Sequence, residues 1–406
     1  MVDFIKKIND AIRTIKYRIN PYTKIKTIDE LNKVYALNYH DLSALDLREQ
    51  GDLFYDYNGN KTHPWTNNVI WPTPDKMPAN FSPQKLLESS MRPRLIEDLH
   101  QSGKTGHGIN IAIIDGQIDA TNPEYSNQIK LISHSTKIQT SNTTPEHHGP
   151  LVACRAVGKN TGTAPDANLY YFNVAKNRET NFFDSNIDAF ERVLEYQKNA
   201  HESERIHILS CSFGLRANTS GQRATTEQIA KVYELIQQLH NLGIQIIHCS
   251  PTPTEQNDIE QRGQVEQILK QHGYQTIHWH DQEFSNRNPN QPIFGRFVNS
   301  PDLISIPTRN MSHIDHHQDV RFDPNGGDSS AAPYLAGVFA CALQGNTIFC
   351  TRENWQDELI EIMKQTASKH PMGGKVINPT GIVERVSQIA RTMEMDLIKH
   401  QASQHE

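Results

Sequence analysis

The chain has 406 residues, a formal net charge of −6, 36% hydrophobic residues and 21% charged ones. That length supports one large core plus an extension, and the composition excludes a disordered chain. The acidic balance argues against a nucleic-acid partner, and no apolar run approaches the roughly 20 residues that span a bilayer.

Met1–Asn20 is basic, but Lys6, Lys7, Asp10, Arg13 and Lys16 interrupt any apolar core, so it is not read as a secretory leader. Phe4, Ile5, Ile8, Ile12, Ile15 and Ile19 recur at helical spacing and suggest an amphipathic helix docked on the body, not lying on a membrane. Residues 1–50 read as helical, with Thr27 capping a helix that starts at Ile28. Residues 51–85, rich in Asn, Pro, Gly, Asp and aromatics, read as an extended connector that wraps the body. Gln84–Leu99 has a helical pattern broken at Pro93.

Beyond it, Ile109–Ile114, Leu169–Phe172, Ile206–Ser210 and Ile244–His248 are short apolar runs that read as buried strands. The best helical patterns between them are Ile187–Ala200 and Thr226–Leu242. This alternation predicts an α/β fold, a mostly parallel sheet with helices on both faces. Right-handed crossovers would gather strand ends and helix starts on one edge. Five cysteines (Cys154, Cys211, Cys249, Cys341, Cys350) lie mostly in apolar runs. An odd count in such settings suits free buried thiols in a reducing compartment, hence the cytoplasm.

Three segments carry chemistry. Asn325-Gly326-Gly327-Asp328-Ser329-Ser330-Ala331-Ala332-Pro333 reads as a glycine turn presenting a serine at the mouth of an apolar helix, with Pro333 in the first turn. There the helix dipole favours developing negative charge, although a serine is also a common cap. Ile111–Ile114 ends in Asp115-Gly116, an acid at the carboxyl end of a buried strand. Glu146-His147-His148-Gly149-Pro150-Leu151-Val152-Ala153 opens another small-residue helix.

In the order Asp, His, Ser, these segments resemble the subtilisin-like serine peptidases, the subtilases. Ile113-Ile114-Asp115-Gly116 is similar to the family's acid motif, His148-Gly149-Pro150-Leu151-Val152-Ala153 to its histidine motif, and Gly327-Asp328-Ser329-Ser330-Ala331-Ala332-Pro333 to its serine motif. Gly162-Thr163-Ala164-Pro165-Asp166-Ala167-Asn168-Leu169 and Ile208-Leu209-Ser210-Cys211-Ser212-Phe213-Gly214 resemble its strand lead-in and substrate-lining strand. The closest resemblance is to a cytoplasmic bacterial branch with His-Gly-Pro and an N-terminal Asp-Leu-Ser segment, here Asp41-Leu42-Ser43.

The resemblance implies a subtilisin-like fold. Residues 1–85 would form an N-terminal extension, 86–392 the peptidase domain, and 393–406 a C-terminal tail. It implies an intracellular serine endopeptidase acting on peptide or protein substrates without a cofactor. Ser329 would be the nucleophile, His148 rather than His147 the base, and Asp115 its orienting partner. Ser212, Phe213 and Gly214 would bind substrate as an added β-strand, with Asn173-Val174-Ala175 as the other wall. The backbone N–H of Ser329 would form half the oxyanion hole.

The pattern departs from the family at the other half. The family's Gly-Asn pair is replaced after Ile244–His248 by Cys249-Ser250-Pro251-Thr252-Pro253. Ser250, Thr252, Asn257 and Asn310 are the candidate replacement donors. This gap keeps a second reading open, a catalytically silent or partner-activated subtilase fold that binds peptides. The insert Thr252–Gln291 reads as a solvated loop. The histidine groups His278-Trp279-His280-Asp281 and His313-Ile314-Asp315-His316-His317 lack the spacing of a helical zinc site and read as polar loop residues, so no metal is expected.

Overall fold

The structure is a computed structural model that describes residues 22–34, 36–50, 63–79, 81–137, 147–175, 181–212, 218–219, 222–248, 284–285, 304–308, 311–315, 317–323, 328–369 and 375–403. It begins with β1 (Thr23–Lys24), α1 (Ile28–Leu31), β2 (His40–Asp41) and β3 (Trp65–Thr66). The helical reading of 1–50 therefore fails over 22–50. Thr27 does cap α1, its Oγ1 accepting from the Glu30 N–H at 3.2 Å, but the helix lasts four residues. β1 pairs in parallel with β2, and Leu31, Leu37, Leu42 and Leu47 turn inward on Trp65. Those leucines bury a shared core, not one helix stripe. The amphipathic reading of Met1–Asn20 lies outside the described residues.

α2 (Pro83–Ser90) and α3 (Glu97–Gln101) follow, separated around Pro93 as expected. The central sheet then forms from β4 (Asn110–Asp115), β5 (Ile129–Ser133), β6 (Asn168–Asn173), β7 (Ile208–Cys211) and β8 (Gln245–His248). All five strands are parallel, in the order β8-β7-β4-β6-β5. β5 was not read from the sequence; its Lys130 and Ser133 interrupt the apolar run of an edge strand.

Strand alternation divides the core in two. Ile111, Ile113, Leu169, Tyr171 and Ile208 face α4 (His148–Val157) and the C-terminal helices. Ala112, Ile114, Tyr170, Phe172 and Leu209 face α5 (Phe182–Asn199) and α6 (Thr226–Asn241). Period-2 alternation with both faces buried is what a sheet between two helical layers requires. α6 starts with a full capping box between Thr225 and Gln228.

β9 (Met311–Ile314) and β10 (Val320–Asp323) form an antiparallel hairpin, and β3 pairs with β10. This corrects the reading of His313 as a loop residue, while Asp315 lies just past the end of the strand. His313 lies on a strand and both are fully buried, because the hairpin is pressed between α4 and the N-terminal extension. α7 (Asp328–Leu343), α8 (Trp355–Thr366) and α9 (Pro379–Ser403) complete the chain. α7 is buried all round from Ala331 to Leu343, as its unbroken apolar sequence demands. Gly337 lets it press on α4's exit loop, since a Cβ there would lie 2.5 Å from Thr163 Cβ. α9 runs through the residues expected as a tail, and Met395, Leu397 and Ile398 are exposed on it. Among the described residues no helix is long and apolar enough to cross a membrane.

Glu124 pins the loop that leaves α4. Its carboxylate accepts from Asn160 N (2.9 Å), Asn160 Nδ2 (2.7 Å), Thr161 N (3.0 Å) and Thr161 Oγ1 (2.9 Å). With Glu124 buried, Glu124→Ala strands the buried donors of Thr161, while exposed Asn160 can turn to water, and is expected to cost about 2–3 kcal/mol. Urea unfolding of the variant measures this; a loss below 1 kcal/mol would show that water replaces the carboxylate.

Candidate active site

Asp115 is the last residue of β4 and His148 the first of α4. The structure brings them together, with His148 Nδ1 2.7 Å from Asp115 Oδ1. Asp115 is 6% exposed and His148 39%, so the acid is enclosed while the imidazole reaches the surface. The Gly116 N–H also donates to Asp115 Oδ1 at 2.7 Å and fixes the carboxylate. A carboxylate on Nδ1 selects the tautomer with the proton there, which makes Nε2 the basic nitrogen.

The close approach depends on Gly149. A Cβ at that position would meet Gln117 O at 2.7 Å, the Tyr171 hydroxyl at 2.7 Å and Gly116 O at 2.8 Å. Only a glycine lets the start of α4 rest on the turn after Asp115. The Tyr171 hydroxyl donates to Gly116 O at 2.8 Å and holds that turn from β6.

Ser329 is the second residue of α7, and α7 packs against α4 and β7. Its hydroxyl donates to Ser212 O at 3.2 Å, and the Ser212 hydroxyl donates to Ser329 O at 2.9 Å. The second contact has a cause in the sequence. Pro333 is the sixth residue of the helix, not in its first turn as expected. It has no N–H for the carbonyl four residues back, that of Ser329. The Ser212 hydroxyl supplies the missing donor. Sequence reasoning assigned Ser212 only to substrate binding; the proline spacing was the signal for this added role.

Phe213, Gly214, Ser250, Thr252, Asn257 and Asn310 lie outside the described residues, as do His278, His280 and Asp281. At the end of β6, Asn173 Oδ1 accepts from the Ile118 N–H at 3.1 Å, and Arg192 Nη2 donates to Asn173 O at 2.7 Å. Val174 and Ala175 are buried beside it. Among the described residues no three His, Cys, Asp or Glu side chains converge on a metal position.

His147 immediately precedes α4. Its ring packs on that of His313, with centroids 5.2 Å apart and planes at 36°. Burial first, then repulsion from His147, Arg155, Arg321 and His148, holds His313 well below the ordinary histidine range. Burial alone pushes His248 down to about 3. Both are neutral when folded and gain a proton only on unfolding once the pH is below about 6.5. Stability is therefore complete above that pH and lost as pH falls through it. Each contributes a slope of up to about 1.4 kcal/mol per pH unit. Urea titrations from pH 7.5 to 5.5 should show the decline; a flat profile would mean that both rings are solvated.

Many solved structures are similar to this chain, proteases among them. The prenylagaramide maturation protease PagA aligns at 14% identity and a TM-score of 0.49, over 72% of this chain and 99% of that one. A cold-adapted subtilisin-like serine proteinase aligns at 16% and 0.45, over 67% and 89%. A serine-to-alanine mutant of the protease domain of PatA aligns at 14% and 0.46, over 70% and 96%. No curated protein matches the sequence. The sequence model of the subtilase family matches residues 106–383. That span holds the sheet, the Asp115–His148 pair and the Ser329 helix in one continuous stretch, and the chain belongs to the subtilase family.

Proposed function

We propose that this protein is a serine endopeptidase that cleaves peptide bonds through an acyl-enzyme on Ser329. The observation that carries the reading is the enclosed 2.7 Å contact between Asp115 and His148 Nδ1. It leaves Nε2 as the base on a ring that reaches solvent. In the reaction the Ser329 hydroxyl turns from the Ser212 carbonyl to His148 Nε2. Ser329 Oγ attacks the substrate carbonyl while Nε2 takes its proton. The imidazolium, stabilised by Asp115, then protonates the leaving amine. Water, deprotonated by the same nitrogen, releases the acyl group.

The carbonyl oxygen that becomes negative lies near the amino end of α7, where the helix dipole and the Ser329 N–H oppose its charge. Substrate adds as a strand beside Ser212. The thiols of Cys154, Cys211 and Cys341, free and buried, support a reducing, cytoplasmic setting. The peptidase domain is read as 86–392, after an extension over 1–85.

Labelling with a fluorophosphonate tests the reading, because the reagent reacts with a serine only when a base activates it. Wild type should label at Ser329 and Ser329→Ala should not. A folded wild type that stays unlabelled would favour the silent peptide-binding fold, with the Pro251 departure as its cause.

A further inference from the structure

The back of the His148 helix is tied, through the β9–β10 hairpin, to the N-terminal extension. β3 pairs antiparallel with β10, Trp65 opposite Phe322 and Thr66 opposite Arg321. The Trp65 ring is fully buried and lies 5.1 Å from Phe322, 5.2 Å from Trp71 and 6.2 Å from Phe81. Phe322, a residue of the body, is thus part of the core around which the extension folds. The Asn67 N–H adds a bond to Val320 O at 3.0 Å.

β10 in turn carries β9, whose outer edge pairs with no further strand among the described residues. Its carbonyls are taken by groups from the body. Arg155 Nη1 donates to Ser312 O at 2.6 Å, Asn122 Nδ2 to Ile314 O at 3.2 Å and Cys154 Sγ to Ile314 O at 3.5 Å. Arg155 and Cys154 belong to α4. Arg155 is 1% exposed and stands seven residues, about two turns, after His148. A guanidinium in the apolar run Leu151-Val152-Ala153-Cys154-Arg155-Ala156-Val157 is costly to bury without partners. The sheet edge and the charge of Asp323 provide them.

We propose that the extension is an intramolecular brace that the active enzyme keeps, and that Arg155 is the positioning residue through which it holds His148. The contacts run from β3 to β10, from β10 to β9, and from β9 to α4. A strand built into the body's own sheet, with a tryptophan core around it, is unsuited to release as an inhibitory segment. Loosening it should misplace the base, whereas loosening an inhibitor should free the site. The proposal rests on the peptidase reading for its effect on rate, but not for its effect on α4.

The test uses the full chain as wild type, Trp65→Ala, Trp65→Phe, Arg155→Met and Arg155→Lys. Fluorophosphonate labelling is followed against pH, and hydrogen–deuterium exchange is followed over 148–157. Trp65→Ala and Arg155→Met are expected to slow labelling at least tenfold and to speed α4 exchange at least tenfold. Arg155→Lys, which keeps one donor, should recover part of both. The pH midpoint of labelling should move in Arg155→Met, since a displaced ring loses its contact with Asp115.

Faster labelling in Trp65→Ala, or a labelled wild type that has shed residues 22–79, would overturn the brace. So would α4 exchange that no variant changes. If Trp65→Ala does not fold, Trp65→Phe and the two Arg155 variants give the same comparison with smaller changes. A wild type that never labels defeats the peptidase reading alone, and the exchange data still decide the brace.

Discussion

Ser329→Ala is expected to lower turnover of a peptide substrate on the order of a million-fold, the size such a replacement has in subtilisin. The lost group is the proposed acyl carrier, held between the amino end of α7 and Ser212 O. The fold should tolerate the change. One hydrogen bond of 3.2 Å disappears, worth about 1 kcal/mol, while the Ser212 hydroxyl still satisfies the carbonyl at position 329. Single-turnover and steady-state assays with the variant measure the loss. A decrease of less than a hundredfold would place the nucleophile elsewhere.

The second large effect is expected for Asp115→Asn, about 10⁴-fold in kcat with the structure kept, as for the same replacement in other serine proteases. The argument is one of tautomers. A carboxylate accepts the Nδ1 proton at 2.7 Å; an amide can turn its NH₂ to Nδ1 and make that nitrogen the acceptor. The proton then sits on Nε2, and the base is lost although its position is unchanged. Peptide hydrolysis against pH is the measurement. Activity within tenfold of wild type would mean that His148 is oriented by something other than Asp115.

The sheet and the order of the three chemical segments were legible because each rests on local pattern. Ile111–Ile114, Leu169–Phe172 and Ile244–Ile247 are short apolar runs ended by polar residues, and each became a parallel strand. His148-Gly149 was legible because few residues can follow a histidine at so tight a contact. What escaped was set by distant partners. Ile129–Ser133 is an edge strand that is only partly buried, so it lacks the continuous apolar signature. Met311–Ile314 contains Ser312 and His313, polar in sequence yet fully buried, because Arg155, Ser90 and the His147 ring surround them. The extension misled for the same reason. Its leucines gather with Trp65 and Phe322 in one shared core, so their inward positions are set by distant partners and not by a helical stripe. One signal was present and unused: a lone arginine inside an apolar helix must have a buried partner.

The pairing of Thr66 with Arg321 also constrains events during synthesis. The two strands, at Trp65–Thr66 and Val320–Asp323, are far apart in the chain, and ribosomes add about 5–20 residues per second. The N-terminal segment therefore waits on the order of ten to fifty seconds before β10 exists to receive it. β10 emerges just ahead of Ser329, so the sheet behind His148 and the nucleophile are completed almost together. A nascent chain would carry its acid and its imidazole long before it could cut anything. The same delay leaves Trp65 and its leucines without their docking strand, so chaperone demand should be greatest in that interval and fall once residue 323 clears the exit tunnel.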